Sequence, residues 1–300
     1  MPAMLPPFSR RSFLGAALAA LAARPAFGTA EGEVVDADRF ALLSDIHIHA
    51  DPKRVLRETN MADNLTAVVG EVLARKQRAC RAFIDGDLAL SVGDSADYAT
   101  IEKLLQPLSA AGMPVGMTLG NHDHREHFLK GMASRLPAER PTFAKHVAVV
   151  ETPRLNWFLA DSLEAVNSTP GKLGHEQLEW LKAGLDARAE KPAVVFVHHH
   201  PVFETKEKIA GIQDTAALFE LIAPRKQVKA VIFGHTHHWN VTKREGVWLV
   251  NLPPVAYVFQ KSDPNGWVEW LAKDGGATLT FNALSKTHAA HGKETELTWR

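Results

Sequence analysis

Residues 40–47 read Phe-Ala-Leu-Leu-Ser-Asp-Ile-His, an apolar run that passes into a polar end holding a carboxylate and an imidazole two positions apart. Phe40–Leu43 reads as a strand and Ser44–His49 as its polar end. Outward from it the same unit recurs. Residues 61–79 place Val68, Val69, Val72 and Leu73 near one face of a helix, and Ala82–Ile84 begins a second strand that ends in Asp85, Gly86 and Asp87. Tyr98, Ile101, Leu104, Leu105 and Leu108 give the next helix an inward face. The strand Val115–Leu119 then closes in Gly120, Asn121, His122 and Asp123.

Further along, Val147–Glu151 and Leu155–Ala160 read as a hairpin, and Leu178, Leu181 and Leu185 as the face of a helix beginning after Gly174. The buried strand Ala193–Val197 runs into His198, His199, His200 and Pro201. A helix over Ala217–Ile222 precedes the strand Val228–Phe233, which runs into Gly234, His235, Thr236 and His237. Trp248–Val250, Trp267–Trp270 and Ala277–Phe281 supply later β segments, and the tail from His288 onward reads as less regular. The layout is mixed α/β, with parallel connections early and antiparallel ones later.

The chain has 300 residues, 46% hydrophobic and 23% charged, which suits one large globular domain. Lysine plus arginine equals aspartate plus glutamate at 34 each, so the concentrated basic surface of a nucleic-acid binder is not indicated. No stable nucleic-acid or membrane partner is expected, and the default oligomeric state is a monomer. Ser9-Arg10-Arg11-Ser12-Phe13-Leu14 leads an apolar run, Phe13–Ala23, too short to cross a bilayer. That pattern describes an export signal, and SRRSFL resembles the twin-arginine signal. The expected division is therefore a signal peptide over 1–30, cleaved after Ala30 or Gly28, and a single domain over 31–300. Removing Arg10, Arg11 and Arg24 leaves 31 basic and 34 acidic residues, a net charge of −3. The expected destination is the periplasm or another exported site, reached through the twin-arginine translocation machinery. Cys80 is the only cysteine, so an intramolecular disulfide is impossible, and a buried core thiol is expected.

Five polar clusters thus follow apolar strands: Asp45–His47, Gly86–Asp87, Gly120–Asp123, His198–Pro201 and Gly234–His237. Carboxylate oxygen and imidazole nitrogen suit borderline transition metals, and neighbouring strand ends can bring distant clusters together. Strand-like geometry at Asp45-Ile46-His47 would aim both polar side chains to one surface while Ile46 enters the core, and His235 and His237 repeat the spacing across Thr236. Gly86 permits a tight turn before Asp87.

The ordered set D-x-H, G-D, G-N-H-D, a later histidine and G-H-x-H resembles the calcineurin-like metallophosphoesterase family, over roughly Phe40 to Leu252. The resemblance implies a four-layer αββα sandwich with the catalytic loops on one edge. It implies two transition-metal ions, divalent or of mixed valence, drawn from iron, manganese and zinc. Asp45, His47 and His237 match the ligands of the first, Asp87 the bridging carboxylate, and Asn121 and His235 ligands of the second. His199 is the expected remaining ligand, because the family histidine lies two positions before a proline, here Pro201; His198 and His200 are the alternatives. His122 matches the histidine that touches a phosphate oxygen and assists the leaving alcohol, with Asp123 orienting it or stabilising the loop.

The implied reaction is hydrolysis of a small phosphate ester by metal-activated hydroxide, with a small phosphodiester or cyclic nucleotide as leading substrate. A broad phosphomonoesterase is the alternative enzyme, and a noncatalytic metal- or phosphate-binding protein the alternative of another class. Arg125 is a candidate phosphate neighbour or a solvated loop arginine. Trp239, beside the GHTH loop, is the aromatic expected to limit substrate size.

Overall fold

The Phe40–Leu43 run forms the inner end of β1 (Val34–Ser44), the middle of a six-stranded sheet, in a computed structural model that describes residues 34–136, 144–204 and 210–300. The export segment expected over 1–30 lies outside the described residues. The first sheet runs β14 (Glu294–Thr298), β13 (Gly276–Ala283), β12 (Gly266–Lys273), β1, β4 (Gln77–Asp85), β5 (Val115–Met117). β1, β4 and β5 are parallel, whereas β12, β13 and β14 add as antiparallel neighbours. The second sheet runs β10 (Asn240–Arg244), β11 (Val247–Asn251), β9 (Val228–Phe233), β8 (Ala193–Val197), β7 (Asn156–Ala160), β6 (Ala148–Glu151). Its middle is parallel, and its two outer pairs, β10·β11 and the expected β6·β7 hairpin, are antiparallel. A small hairpin, β2 (Val55–Leu56) and β3 (Thr59–Asn60), stands apart from both sheets.

Three cores separate four layers. Phe40, Leu42, Phe83, Trp157, Phe196, Ile232 and Trp270 meet between the sheets. Trp157 is the hub, with ring centroids 4.5 Å from Phe83, 4.9 Å from Phe40 and 5.4 Å from Trp270. Burying each such side chain contributes roughly 1.5–3 kcal/mol. The alternate residues of the same strands, Ala41, Leu43, Ala82 and Ile84, face α1 (Met61–Leu73), α2 (Ser95–Ala110) and α3 (Arg125–Gly131). Val195, Val197 and Val231 face α4 (His175–Asp186) and α5 (Thr215–Ile222). The result is the αββα sandwich, because parallel strands that are apolar at nearly every position need cover on both faces.

Three expectations give way, two of them to strand pairing that local sequence does not display. The helix expected over 61–79 starts where Asn60 caps the amides of Ala62 and Asp63, but ends at Leu73. Gln77–Ala79 instead pair with Val34–Asp36, so the polar start of β4 is strand through its neighbour. The tail is likewise regular: Glu294–Thr298 pairs antiparallel with β13 and anchors on buried Leu297. Cys80 is half-buried rather than a core residue, its thiol donating to Ala37 O at 3.4 Å and pushed up to about 11 by burial.

Candidate metal centre

Five strand ends from the two sheets open onto one cavity of about 390 Å³, lined by His47, Asp87, Asn121, His122, His235 and His237 among others. β1 delivers Asp45 and His47, β4 delivers Asp87, and the segment after β5 delivers Asn121 and His122. β8 delivers His198 and His199, and β9 delivers His235 and His237. Backbone bonds zip these ends together: His47 N donates to Asp87 O at 3.0 Å and Gly234 N to His198 O at 3.0 Å.

The side chains are not aimed by a continuing pleat, as the sequence suggested. Ile46 is fully buried, as expected, but Asp45, His47, Asp87, His235 and His237 all take left-handed backbone conformations, with φ of 50°, 46°, 42°, 67° and 55°. Residues with a side chain adopt that region at a cost of order 1–3 kcal/mol, and such outliers gather at functional sites. Close approach also constrains the glycines. A Cβ on Gly234 would lie 1.9 Å from Ser44 Oγ and 2.5 Å from Asp45 Oδ2, and one on Gly120 would lie 2.2 Å from Asp87 Oδ1.

Three overlapping sets offer ligand atoms within 4.8 Å of one another: Asp45, His47 and His237; His47, Asp87 and His122; and Asp87, His198 and His235. Asp87 and His47 each belong to two of them. Asp45 is held through one oxygen, Oδ2, which accepts from Ser44 Oγ and from His235 N. Its Oδ1 faces His237 Nε2 at 3.3 Å. Asp87 Oδ1 accepts from His122 N at 2.9 Å and lies 3.4 Å from His198 Nε2, while Oδ2 lies 3.7 Å from His47 Nε2. Backbone carbonyls take one ring nitrogen of several imidazoles: His237 Nδ1 donates to Tyr257 O (2.6 Å), His198 Nδ1 to Asp85 O (3.1 Å) and His122 Nδ1 to Ser91 O (2.7 Å). Those bonds leave Nε2 of each ring as the atom available to a ligand.

The charges are arranged in pairs. Burial opposes ionisation of Asp45, but His237 and His198 overcome it and hold the carboxyl at about 2; Asp87, beside His198 and His47, is likewise held well below its ordinary value. Burial also opposes a charge on His198, yet Asp87 pushes this imidazole up to about 10. Burial wins at His47 and His235, which fall to about 4 and about 3. Behind the site, burial raises Asp85 to about 7, with Thr118 Oγ1 donating to it at 2.8 Å.

The structure brings His198, not His199, within ligand distance of Asp87 and His235. The reason is strand parity. Val194 and Phe196 face the other sheet, and His198 continues that face; Val195 and Val197 face the helices, and His199 continues theirs. There His199 Nδ1 bonds Ser162 Oγ at 2.7 Å. Asp123 does not meet the His122 ring. Fully buried, its carboxylate accepts from Leu88 N, Ala89 N, Gly120 N and Tyr98 Oη at 2.9–3.1 Å, tying two ligand loops and α2 together.

Arg125 pairs with Asp161 through its Nε at 2.7 Å rather than facing the cavity. Trp239 packs on Phe281, 5.4 Å between centroids, and does not line the cavity. The aromatic wall is Tyr257 and Phe259, from the loop between β11 and β12. Phe259 stacks on His237 at 4.3 Å and Tyr257 on His47 at 5.1 Å. Sequence reading missed both, because an isolated aromatic in a loop carries no pattern.

The donor set fits metal. Asp45 Oδ1, Asn121 Oδ1 and His198 Nε2 are buried without a hydrogen-bond partner among the described residues, an arrangement that is costly unless a cation satisfies them. His199 Nε2 is also unpartnered but joins none of the three sets.

Comparison with known proteins agrees with this chemistry. The family model for calcineurin-like phosphoesterases matches residues 38–239, more than half of the chain. The chain is 28% identical over 234 residues to 3',5'-cyclic adenosine monophosphate phosphodiesterase CpdA of Pseudomonas aeruginosa, covering 77% of this chain and 80% of that protein. It is 28% identical to a probable cyclic nucleotide phosphodiesterase of Synechococcus, covering 76% and 84%. Among solved structures, a dimetal phosphatase from Danio rerio superimposes with a TM-score of 0.64 at 15% identity, covering 87% of this chain and 99% of that one. Purple acid phosphatase PPD1 of yellow lupin does so at 0.62 and 14%, covering 87% and 53%. With the matched motifs converging on one metal-fitting cavity, the chain belongs to the calcineurin-like phosphoesterase family and is a metal-dependent hydrolase of phosphate esters.

Proposed function

We propose that this protein hydrolyses small phosphodiesters, cyclic nucleotides among them, at a two-metal centre. The observation that carries the reading is the overlap of three ligand sets on Asp87 and His47, which gives two neighbouring cation positions one shared carboxylate. The names of the Pseudomonas and Synechococcus relatives support the substrate class. Asp45, His47 and His237 would hold one ion, Asn121, His198 and His235 the other, and Asp87 both. The mixed oxygen and nitrogen donors suit iron, manganese or zinc. Bound there, two such cations supply Lewis acidity and a water acidic enough to act as nucleophile.

The chain's own residues do the rest. Asp45 and Asp87 stay ionised at neutral pH, so they balance cationic charge without protons of their own. His122 stands at the cavity wall with Nδ1 committed to Ser91 O, which leaves Nε2 for a phosphate oxygen. Protonated, that nitrogen donates to the departing oxygen as water adds to phosphorus and the P–O ester bond breaks. Asp123 acts as a positioning residue through the amides of the Asp87 and Asn121 loops. Tyr257 and Phe259 narrow the mouth.

The test is turnover of bis(p-nitrophenyl) phosphate, p-nitrophenyl phosphate and cyclic AMP by protein loaded with manganese, iron or zinc. Diester turnover well above monoester turnover is expected, and the reverse order rejects the substrate class. Binding of metal and phosphate without turnover of any ester would instead mark a noncatalytic protein.

The Ser9–Leu14 motif supports export by the twin-arginine machinery to the periplasm as part of the same proposal, with the protein working as a monomer. Changing Arg10 and Arg11 together to lysine should leave the protein in the cytoplasmic fraction; unchanged fractionation would reject this route.

A further inference from the structure

A second cavity, of about 710 Å³, adjoins the metal cavity, and Phe259 lines both. Phe259 rests against the His237 ring, the two planes 23° apart, and is still 54% exposed. The Arg57 guanidinium stands 5.2 Å from its ring centroid and 5.7 Å from that of Tyr257. Arg57 is held there by an unusual turn. β2 and β3 are joined by only two residues, Arg57 and Glu58, and both take left-handed φ, 49° and 64°. A two-residue hairpin with positive φ at both positions ordinarily uses asparagine and glycine. Here a long cation and a carboxylate accept the strain, and strain of this kind persists where the surroundings hold it, most often at functional sites.

We infer that this second cavity is the subsite for the organic group of the ester, and that Arg57 and Phe259 select a planar heterocyclic group such as a nucleobase. The inference rests on the phosphodiesterase reading and names the part of the substrate that the metal centre cannot read. A phosphate group needs little of the metal cavity, whereas pockets for ligands of nucleoside size occupy roughly 300–1,000 Å³. The exposed ring face and the guanidinium offer stacking and cation–π contact to a flat π-system. Around them Lys261, Asp263, Asn265 and Ser285 place charged and polar groups along the wall, the kind of rim that fixes the edge of a heterocycle by hydrogen bonds. An aliphatic ester would gain apolar contact with Val258, Pro264 and Ala283 but neither stacking nor cation–π attraction.

The test compares two esters that present the same six-membered cyclic phosphate: cyclic AMP, and the cyclic phosphate of propane-1,3-diol, which has neither sugar nor base. Hydrolysis is followed by phosphorus NMR on the metal-loaded, full-length protein. The unaltered protein should prefer cyclic AMP by a hundred-fold or more in kcat/KM. Arg57→Ala and, separately, Phe259→Leu should each lower that preference about ten-fold, through KM for cyclic AMP. Both side chains are solvent-exposed, and melting temperatures check that the variants fold. An unchanged preference in both variants, or equal kcat/KM for the two esters in the unaltered protein, overturns the subsite. Turnover of bis(p-nitrophenyl) phosphate with neither cyclic ester hydrolysed also overturns it while leaving the phosphodiesterase reading standing. Turnover of no diester removes that reading and the subsite with it.

Discussion

The two sheets contribute different chemistry to one site. Every carboxylate and the amide come from the first sheet, on the ends of β1, β4 and β5; the second sheet adds imidazoles alone, from β8 and β9. The two halves face each other across short contacts, His198 Nε2 at 3.4 Å from Asp87 Oδ1 and His237 Nε2 at 3.3 Å from Asp45 Oδ1. The halves differ in what each can lose: an acidic residue carries the charge balance, whereas an imidazole is one neutral donor among several.

Loss of the shared carboxylate should have the largest effect. Asp87→Ala removes the group common to two ligand sets and strands His198, so kcat/KM for the diester should fall on the order of 10³-fold or more, the scale of losing a main electrostatic contributor. Elemental analysis should find both ions depleted. Two ions retained per chain would break the contrast between the halves. Next comes the test of parity on β8. His198→Ala should lose one ion and roughly 10²-fold in activity, whereas His199→Ala should keep both ions and lose about 1–3 kcal/mol of stability by removing the ring partner of the Ser162 hydroxyl, which then keeps only the amide of residue 199. Opposite metal contents in the two variants would reverse the assignment.

At a close approach of the two sheets, Gly234→Ala drives a methyl into Ser44 Oγ and Asp45 Oδ2. It should cost about 1–3 kcal/mol by overpacking, read as a lower melting temperature. The smallest effect is in protons. The His198 value of about 10 lies above the ordinary 6.5, so its pairing with Asp87 stabilises the metal-free protein fully below pH 6.5 and is lost as pH rises through about 10. A cation must displace that proton. Metal loading at pH 7–8 should release protons, and apparent affinity should rise with pH, measured by calorimetry in buffers of different ionisation enthalpy. His47 and His235, already neutral, should add little to this release. Loading without proton release would mean that His198 carries no proton against Asp87 before a cation binds.

Much of this was legible in the chain because each ligand cluster follows an apolar strand. Phe40–Leu43, Ala193–Val197 and Val228–Phe233 are buried on both faces, and runs this short, rich in β-branched and aromatic residues, suit a buried strand better than a helix. His198 against His199 was not legible by the same route. Deciding it required knowing which face of β8 meets the other sheet, and with both faces apolar the sequence does not mark one. Tyr257, Phe259 and Arg57 were hidden for another reason: they are loop residues whose meaning lies in what they stand beside. Trp239 shows the converse, since nearness in sequence to the GHTH loop put it under Phe281 instead of in the cavity.

The left-handed backbone at five of the site's residues bears on how this protein can be altered. Glycine would relax each of these positions and remove the ligand with the strain. Selection for thermal stability alone would thus tend to erode these positions, and gains in heat tolerance are better sought in the surface loops and helices. The least comfortable stretch of the chain is the one that natural variation is least free to ease.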